Sequence, residues 1–300
     1  MRQTLLEIPI PFTDKHLPIF GFGLMLCIGF FAATWLAQRL CRREGLDGER
    51  IMDLSLWLFI SGIVGARLLF MVRNPDQFNG LLDFFKIWQG GIVFYGGVVA
   101  ATLVFIYYTR RYQLPALRVL DVAAPAVAIG IGVGRIGCLL NGCCWGKQTE
   151  LPWAVSFPAN SLPWQAHVHS GWINDQAARS LPVHPTQIYL AIAGWLLAGL
   201  ILAYFPRRRR HGEVMALLMV GYSVTRFAIE FLRDDEPLWA DGLTISQNIS
   251  IAIFVGGFFL WGWLRRYSAI STVAQDSGHP RATHEERAMA DERAKHHVAT

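Results

Sequence analysis

Seven apolar stretches, each close to the roughly 20 residues a helix needs to cross a bilayer, run along the 300-residue chain. They cover about 18–37, 53–72, 91–109, 119–140, 187–205, 213–231 and 243–264. Polar segments separate them. The longest, 141–186, is rich in Trp, Pro, Asn and His and has no long apolar run, so it predicts a small cap on one face. The pattern predicts an all-α polytopic membrane protein with about seven transmembrane helices. Residues 1–17 then form an external N-terminal segment. Residues 18–266 form the helical domain with its 141–186 cap, and 267–300 a cytoplasmic polar tail. The tail carries mixed charge (RATHEERAMADERAKHH) and reads as disordered or weakly helical. The first apolar run is not a cleavable signal peptide. It lacks a basic segment directly ahead of it and a small-residue cleavage site behind it. No internal repeat is evident.

Composition agrees with a membrane setting. Apolar types make up 53% of the residues and charged types 16%, where about 25% charged is usual for soluble domains. Mean hydropathy is +0.33. These values exclude a disordered chain, a disulfide-rich secreted module and an ordinary soluble enzyme. The net charge of +5 does not point to nucleic acid, because the arginines sit between apolar runs. There they set topology. Arg39, Arg42, Arg43, Arg50, Arg110, Arg111, Arg118, Arg207, Arg208, Arg209, Arg210, Arg265 and Arg266 put thirteen basic residues on one side. Arg2, Lys15, Arg73, Lys86, Lys147, Arg179 and Arg233 put seven on the other. The N-terminus is therefore expected outside and the C-terminus inside, as an odd number of spans requires.

Charges within a spanning helix are costly and read as functional. Arg67, Arg135 and Arg226 qualify. At about 1.5 Å rise per residue they lie about 21, 24 and 20 Å from the inner face, and Tyr95 about 6 Å below the outer face. One layer in the outer part of the membrane thus holds them all. Arginines there suit lipid phosphate, because the planar fork holds two oxygens and never deprotonates. The structural alternative is snorkelling or pairing with an acid, and Glu230 stands one turn beyond Arg226.

Four segments frame this layer. In QGGIVFYGG (89–97), Gly91, Gly96 and Gly97 favour either an anion at a helix N-terminus or close helix contact. In GVGRIGCLLNGCCWG (132–146), small residues surround Arg135, Asn141 and Gly142 suit a turn, and Gly146 closes the run. Cys138, Cys143 and Cys144 lack the paired spacing of a zinc site, and their position permits a disulfide. In VHPTQIYLA (183–191), Pro185 fits a first helical turn and brings His184 and Gln187 to the mouth of a helix. In GYSVTRFAIEFLRDDEP (221–237), Tyr222, Arg226, Glu230 and Arg233 share one helical face by spacing.

In this order, the GG-x-x-x-Y-GG, G-R-I-G with N-G, HP-T-Q-x-Y and Y-x-x-x-R-F-x-x-E-F-x-R segments resemble the bacterial prolipoprotein diacylglyceryl transferase family. The resemblance covers about 18–266. It implies transfer of the diacylglyceryl group of phosphatidylglycerol to the lipobox cysteine thiol of a preprolipoprotein. A thioether forms and glycerol phosphate leaves. It also implies a site toward the outer leaflet of the bacterial inner membrane, with no metal or organic cofactor and no nucleic acid. Arg135, Arg226 and Tyr95 become the candidate catalytic residues. Arg135, Gly91, Gly96, Gly97, Asn141, Gly142, Gly146, His184, Gln187, Tyr222, Glu230 and Arg233 become the candidate substrate-binding residues. The chain departs from the commoner pattern at Tyr95, where many members carry His, and at Phe22, Cys138, Cys143 and Leu190. These departures leave the base open. They also keep two other readings in view, a non-catalytic lipid-binding relative and a thiol oxidoreductase.

Overall fold

The computed structural model describes residues 4–9, 16–77, 84–85, 91, 93–237, 239 and 242–267. The tail from 268 onward and most of the 1–17 segment fall outside these residues. A short antiparallel pairing of β1 (Thr4–Pro9) with β2 (His16–Phe20) leads into the first helix. Among the described residues eight α-helices follow: α1 (Gly21–Arg43), α2 (Gly48–Arg73), α3 (Phe94–Arg111), α4 (Ala116–Asn141), α5 (Leu162–His169), α6 (Thr186–Tyr204), α7 (Glu213–Glu230) and α8 (Ile245–Tyr267).

Seven of these helices coincide with the seven apolar runs, and the fit is local in origin. Asp47 caps α2, accepting from the Glu49 and Arg50 backbone N–H groups at 3.0 and 3.4 Å, which satisfies donors that no earlier turn can reach. Several helices outrun their apolar stretch. α1 ends on Arg42 and Arg43, α3 on Arg110 and Arg111, and α8 on Arg265 and Arg266. Cations in a last turn offset the partial negative charge of the helix C-terminus. Five helices, α1, α2, α4, α6 with its extension to Arg207, and α8, are long and apolar enough to cross a membrane. The other two, α3 and α7, have 18 residues each.

The outward face is apolar to a degree that water would not support. Phe31 is 70% exposed, Leu196 71% and Phe259 74%. α1 packs on α4, α2 on α3, α4 on α6 and α7 on α8. The α2–α3 crossing depends on missing side chains. A Cβ on Gly96 would stand 2.3 Å from the Gly65 carbonyl oxygen, and one on Gly97 would stand 2.6 Å from that of Gly62.

Short turns at 44–47, 112–115 and 208–212 gather one set of helix ends, here termed the basic end. The densest apolar core lies toward it, around Leu40, Ile51, Leu54, Val122, Ile201 and Val214. Arg208, fully buried, is ion-paired to Glu44 and to Asp121 at 3.3 Å. Asp121 in turn accepts from the Gly212, Val214 and Met215 backbone N–H groups at 2.8, 3.0 and 3.3 Å. A carboxylate on α4 thereby caps the start of α7. At the opposite end the 142–185 connection folds as a small cap around Phe157, Trp164, His167 and Val183. Trp164 Nε1 donates to the Ala177 carbonyl at 2.7 Å, and the Leu181 N–H donates to His167 Nδ1 at 3.2 Å. Burial pushes the His167 imidazole below its ordinary value.

Candidate active site

The four framed segments converge at the end of the molecule away from the basic turns. Helix α4 stops at Asn141 because Gly142 adopts the left-handed conformation (φ 76°), which glycine enters at no steric cost. The chain reverses there, and Cys144 also takes a left-handed φ of 61°. Two side chains from the start of α6 pin this turn. Gln187 Nε2 donates to the Cys143 carbonyl at 2.7 Å, and Thr186 Oγ1 donates to the Cys144 carbonyl at 2.6 Å. Pro185 sits just ahead of α6 as its cap residue.

Gly146 is the next fixed point. Its N–H donates to the His184 carbonyl at 3.0 Å, and it bridges to Arg233. A Cβ there would stand 2.6 Å from that of His184 and 2.7 Å from the Leu232 carbonyl oxygen. Three segments therefore meet where only a glycine fits. His184 Nδ1 lies 3.3 Å from the Tyr189 hydroxyl, which accepts from Trp153 Nε1 at 2.7 Å.

The arginines of the layer are held in three different ways. Arg67 is buried on α2 and donates to the Phe84 and Gly91 carbonyls at 3.2 and 2.9 Å. It ties α2 to the glycine segment and does not reach out freely. Arg226 is buried, ion-paired to Glu230, and donates to Ser246 Oγ at 2.7 Å. Arg233 forks onto both Asp235 oxygens at 2.8 Å and reaches Glu230 at 3.3 Å.

Arg135 differs. Its Nη1 approaches Cys144 Sγ at 3.7 Å, and among the described residues no carboxylate pairs with it. The charges it feels come from Cys138, Cys144, Tyr222 and Arg233. Tyr95, 40% exposed at the start of α3, lies within electrostatic reach of Glu236, Arg226, Tyr222 and Glu230. The candidate catalytic trio thus shares one neighbourhood.

Several expectations change in detail. Arg233 is not on the helical face inferred from spacing. Helix α7 ends at Glu230, and Arg233 lies past the turn, its N–H donating to the Glu230 carbonyl at 3.0 Å. Its side chain folds back because Glu230 attracts it. Gly96 and Gly97 serve the α2–α3 crossing, whereas Gly91 supplies a carbonyl to Arg67. Asn141 hydrogen-bonds Cys143.

Sequence reading missed the acids that complete this site. Glu236 lies 3.7 Å from Arg226 and 3.4 Å from Arg233, and accepts from Ser246 Oγ at 2.9 Å. Burial raises its carboxyl, but the Ser246 hydrogen bond and both arginines outweigh that and hold it below its ordinary value. Thr244 Oγ1 likewise supports Glu230 at 3.0 Å. The run of acids at 234–236 was the available signal.

The cysteines also meet. The Sγ atoms of Cys138, Cys143 and Cys144 all lie within 4.8 Å of one another, and all five cysteines of the chain are free thiols in this structure. The Cys144 thiol is held well below its ordinary value. Hydrogen bonds from Cys138 and Cys143 favour its thiolate, and Arg233 and Arg135 add positive charge, against burial.

The prolipoprotein diacylglyceryl transferase family profile matches residues 9–263. The chain belongs to the prolipoprotein diacylglyceryl transferase family. It is 32% identical over 253 residues to the phosphatidylglycerol–prolipoprotein diacylglyceryl transferase of Clostridium tetani, covering 84% of this chain and 96% of that one. The enzyme of the same name from Pseudoalteromonas atlantica is 32% identical over 268 residues, covering 86% and 89%. A Clostridium perfringens relative, named as transferase 2, is 31% identical over 248 residues, covering 82% and 91%. The family profile's match over residues 9–263 runs across all four segments of the site.

Proposed function

We propose that this chain transfers the diacylglyceryl group of phosphatidylglycerol to the lipobox cysteine thiol of preprolipoproteins, forming a thioether and releasing glycerol phosphate. Family membership supports the reaction class, and the relatives' names supply the lipid donor. One observation carries the assignment of the site: among the described residues Arg135 has no carboxylate partner, while Arg226 and Arg233 are neutralised by acids. A guanidinium whose contact is a sulfur at 3.7 Å keeps further donors for an anion in a partly buried place. An anionic headgroup takes those donors and gains orientation.

The leaving group turns from phosphodiester into phosphomonoester, so negative charge develops on phosphate oxygen. Arg135, preorganised on the end of α4, stabilises it most where water is excluded. The Glu230–Arg226–Glu236–Arg233 network holds the opposite wall in place and sets its shape. Tyr95, with an ordinary value near 10, donates a hydrogen bond to phosphate and leaves thiolate formation to another agent. Gln187 and His184 position the 143–146 turn.

The same reading gives the chain seven spans, with α3 and α7 crossing alongside the five longer helices. It places the basic end in the bacterial cytoplasm and the cap and site at the outer leaflet of the inner membrane. Residues 18–266 form the catalytic domain and 267–300 a cytoplasmic tail. Purified protein mixed with phosphatidylglycerol and a lipobox peptide should release glycerol phosphate and lipidate the peptide. Intact, folded protein that releases none, across several anionic lipids, would overturn the reading.

A further inference from the structure

The proposed reaction leaves two things unassigned: a group that makes the acceptor thiolate, and a role for three cysteines gathered beside Arg135. In the linear sequence those cysteines read as C-x4-C-C, a spacing that identifies no metal site. The left-handed Gly142 and Cys144 residues fold the chain back so that the three Sγ atoms fall within 4.8 Å of one another. All three are half-buried, so the cluster is neither sealed nor free in solvent. The turn carrying two of them is held by Gln187 and Thr186 at 2.7 and 2.6 Å.

We propose that Cys138, Cys143 and Cys144 form a three-thiolate site for a zinc-type cation whose fourth position takes the acceptor's lipobox thiol. The inference rests on the transferase reading and deepens it. A Zn–S bond of about 2.3 Å in a tetrahedron requires sulfurs roughly 3.8 Å apart. From 4.8 Å or less, that is a closure of about 1 Å at most for any pair. An all-sulfur set selects Zn²⁺ or Cu⁺ and rejects Mg²⁺ and Ca²⁺, which want oxygen. Three protein ligands with one open position are the arrangement of catalytic zinc.

The surroundings complete the argument. Three thiolates around a divalent ion carry one net negative charge. Arg135 lies 3.7 Å from Cys144 Sγ, and Arg233 lies within electrostatic reach of it. The hydrogen bonds to the Cys143 and Cys144 carbonyls are the outer-shell supports that orient ligands. The acceptor thiol has a reference value near 8.5 and is mostly protonated at neutral pH, whereas a metal-coordinated thiol is deprotonated outright. Zinc therefore supplies what Tyr95 in place of a histidine does not.

The step balances without any redox partner. The acceptor thiol binds the ion and releases its proton to solvent. Its sulfur forms a C–S bond to the glycerol carbon that carries phosphate. The C–O bond of that carbon breaks, and its electron pair stays on the phosphate oxygen held by Arg135. Glycerol phosphate leaves, and the thioether, a weak ligand, dissociates from the ion.

The test uses the full chain in detergent, kept reduced. Cd²⁺ is added as probe, because its thiolate charge-transfer band reports the ligands directly. The expected result is one metal per chain with that band present. A lipobox peptide bearing Cys then strengthens the band, and the same peptide bearing Ser does not. Cys138→Ser and Cys143→Ser should each lower Zn²⁺ affinity by more than the roughly 10–100-fold typical of outer-shell changes. A chelator should lower turnover at least about 10-fold and Zn²⁺ should restore it, since outer-shell losses alone reach that size. The wild-type measurements need no variant to fold. Absence of stoichiometric metal overturns the proposal, and so does bound metal whose spectrum ignores the peptide thiol. Three thiols found joined in a disulfide in active protein overturn it too. If metal and peptide bind as described but no lipid releases glycerol phosphate, the transferase reading fails and the metal site stands.

Discussion

Both ends of the helical bundle bury arginines, and they treat them in opposite ways. At the basic end Arg208 lies between Glu44 and Asp121, and Asp121 spends its remaining acceptor capacity on the first N–H groups of α7. The buried Arg208, Glu44 and Asp121 there answer one another across three segments of the chain. At the other end Arg226 and Arg233 are answered by Glu230, Asp235 and Glu236, whereas Arg135 meets a cysteine sulfur and, among the described residues, no carboxylate. The dense apolar core sits toward the first of these ends. A closed charge network thus fixes how α1, α4 and α7 join, while the network at the other end leaves Arg135 outside its acid pairs.

The largest effect should come from breaking the closed network. Arg208→Ala leaves two buried carboxylates without their cation, and removing one partner of a buried pair costs about 3–5 kcal/mol. Denaturation of the purified chain should show that loss, with activity falling only as the folded fraction falls. A chain of unchanged stability would show that the two ends do not differ as described. Arg135→Ala should do the reverse. Turnover should fall about 10²–10³-fold, or about 2.7–4 kcal/mol, by analogy with loss of one oxyanion donor. Its unfolding midpoint should stay near that of the parent, and a large drop would make Arg135 a structural residue.

Gly65→Ala tests the wall behind the site. The added carbon would stand 2.4 Å from the Ala100 Cβ and 2.5 Å from the Gly96 oxygen. Overpacking of this kind costs about 1–3 kcal/mol, and the displaced α3 should carry Tyr95 away, lowering turnover along with stability. Tyr95→Phe removes one hydrogen bond to a charged group. A loss of about 1.5 kcal/mol, roughly 10-fold in kcat/KM, is expected. Its pH–rate profile should keep the parent's shape. A profile that loses its ascending limb, the rise in rate as a base deprotonates, would make Tyr95 the base.

The smallest effect is a pH dependence shared by both ends. Burial, first, holds His167 in the cap and His211 at the basic end below the ordinary 6.5, with Arg118 and Arg208 adding to the shift at His211. The unfolded chain therefore binds protons at these histidines that the folded chain refuses. Stability should be full above about pH 6.5 and decline as pH falls through and below that value. Asn or Gln at both positions should flatten the decline, and a decline that persists would assign it to carboxylates instead.

Much of this was legible in the sequence. The seven apolar runs anticipate helices to within a few residues, because apolar length and terminal capping are properties of neighbouring residues. Helical rise converts residue number into height and predicts one layer for Arg67, Arg135, Arg226 and Tyr95, and the structure brings Tyr95 within electrostatic reach of Arg226. The glycines were harder. Glycine alone favours helix contact over anion contact at Gly96 and Gly97 without naming the partner, and Gly62 and Gly65 on α2 opposite them supply it. Arg233 was misplaced by one element because the spacing of α7 continues on paper past the point where its hydrogen bonds stop.

By itself the sequence determined that the chain is a helical membrane protein and where its helices run. Those are consequences of local hydrophobicity and of a fixed rise per residue. Tertiary structure alone decided which arginines pair with acids, that Arg135 meets a sulfur instead, and that C-x4-C-C becomes a three-thiol cluster. Pairing energies depend on separations of a few ångströms between distant segments, and a spacing rule along one helix cannot supply those separations.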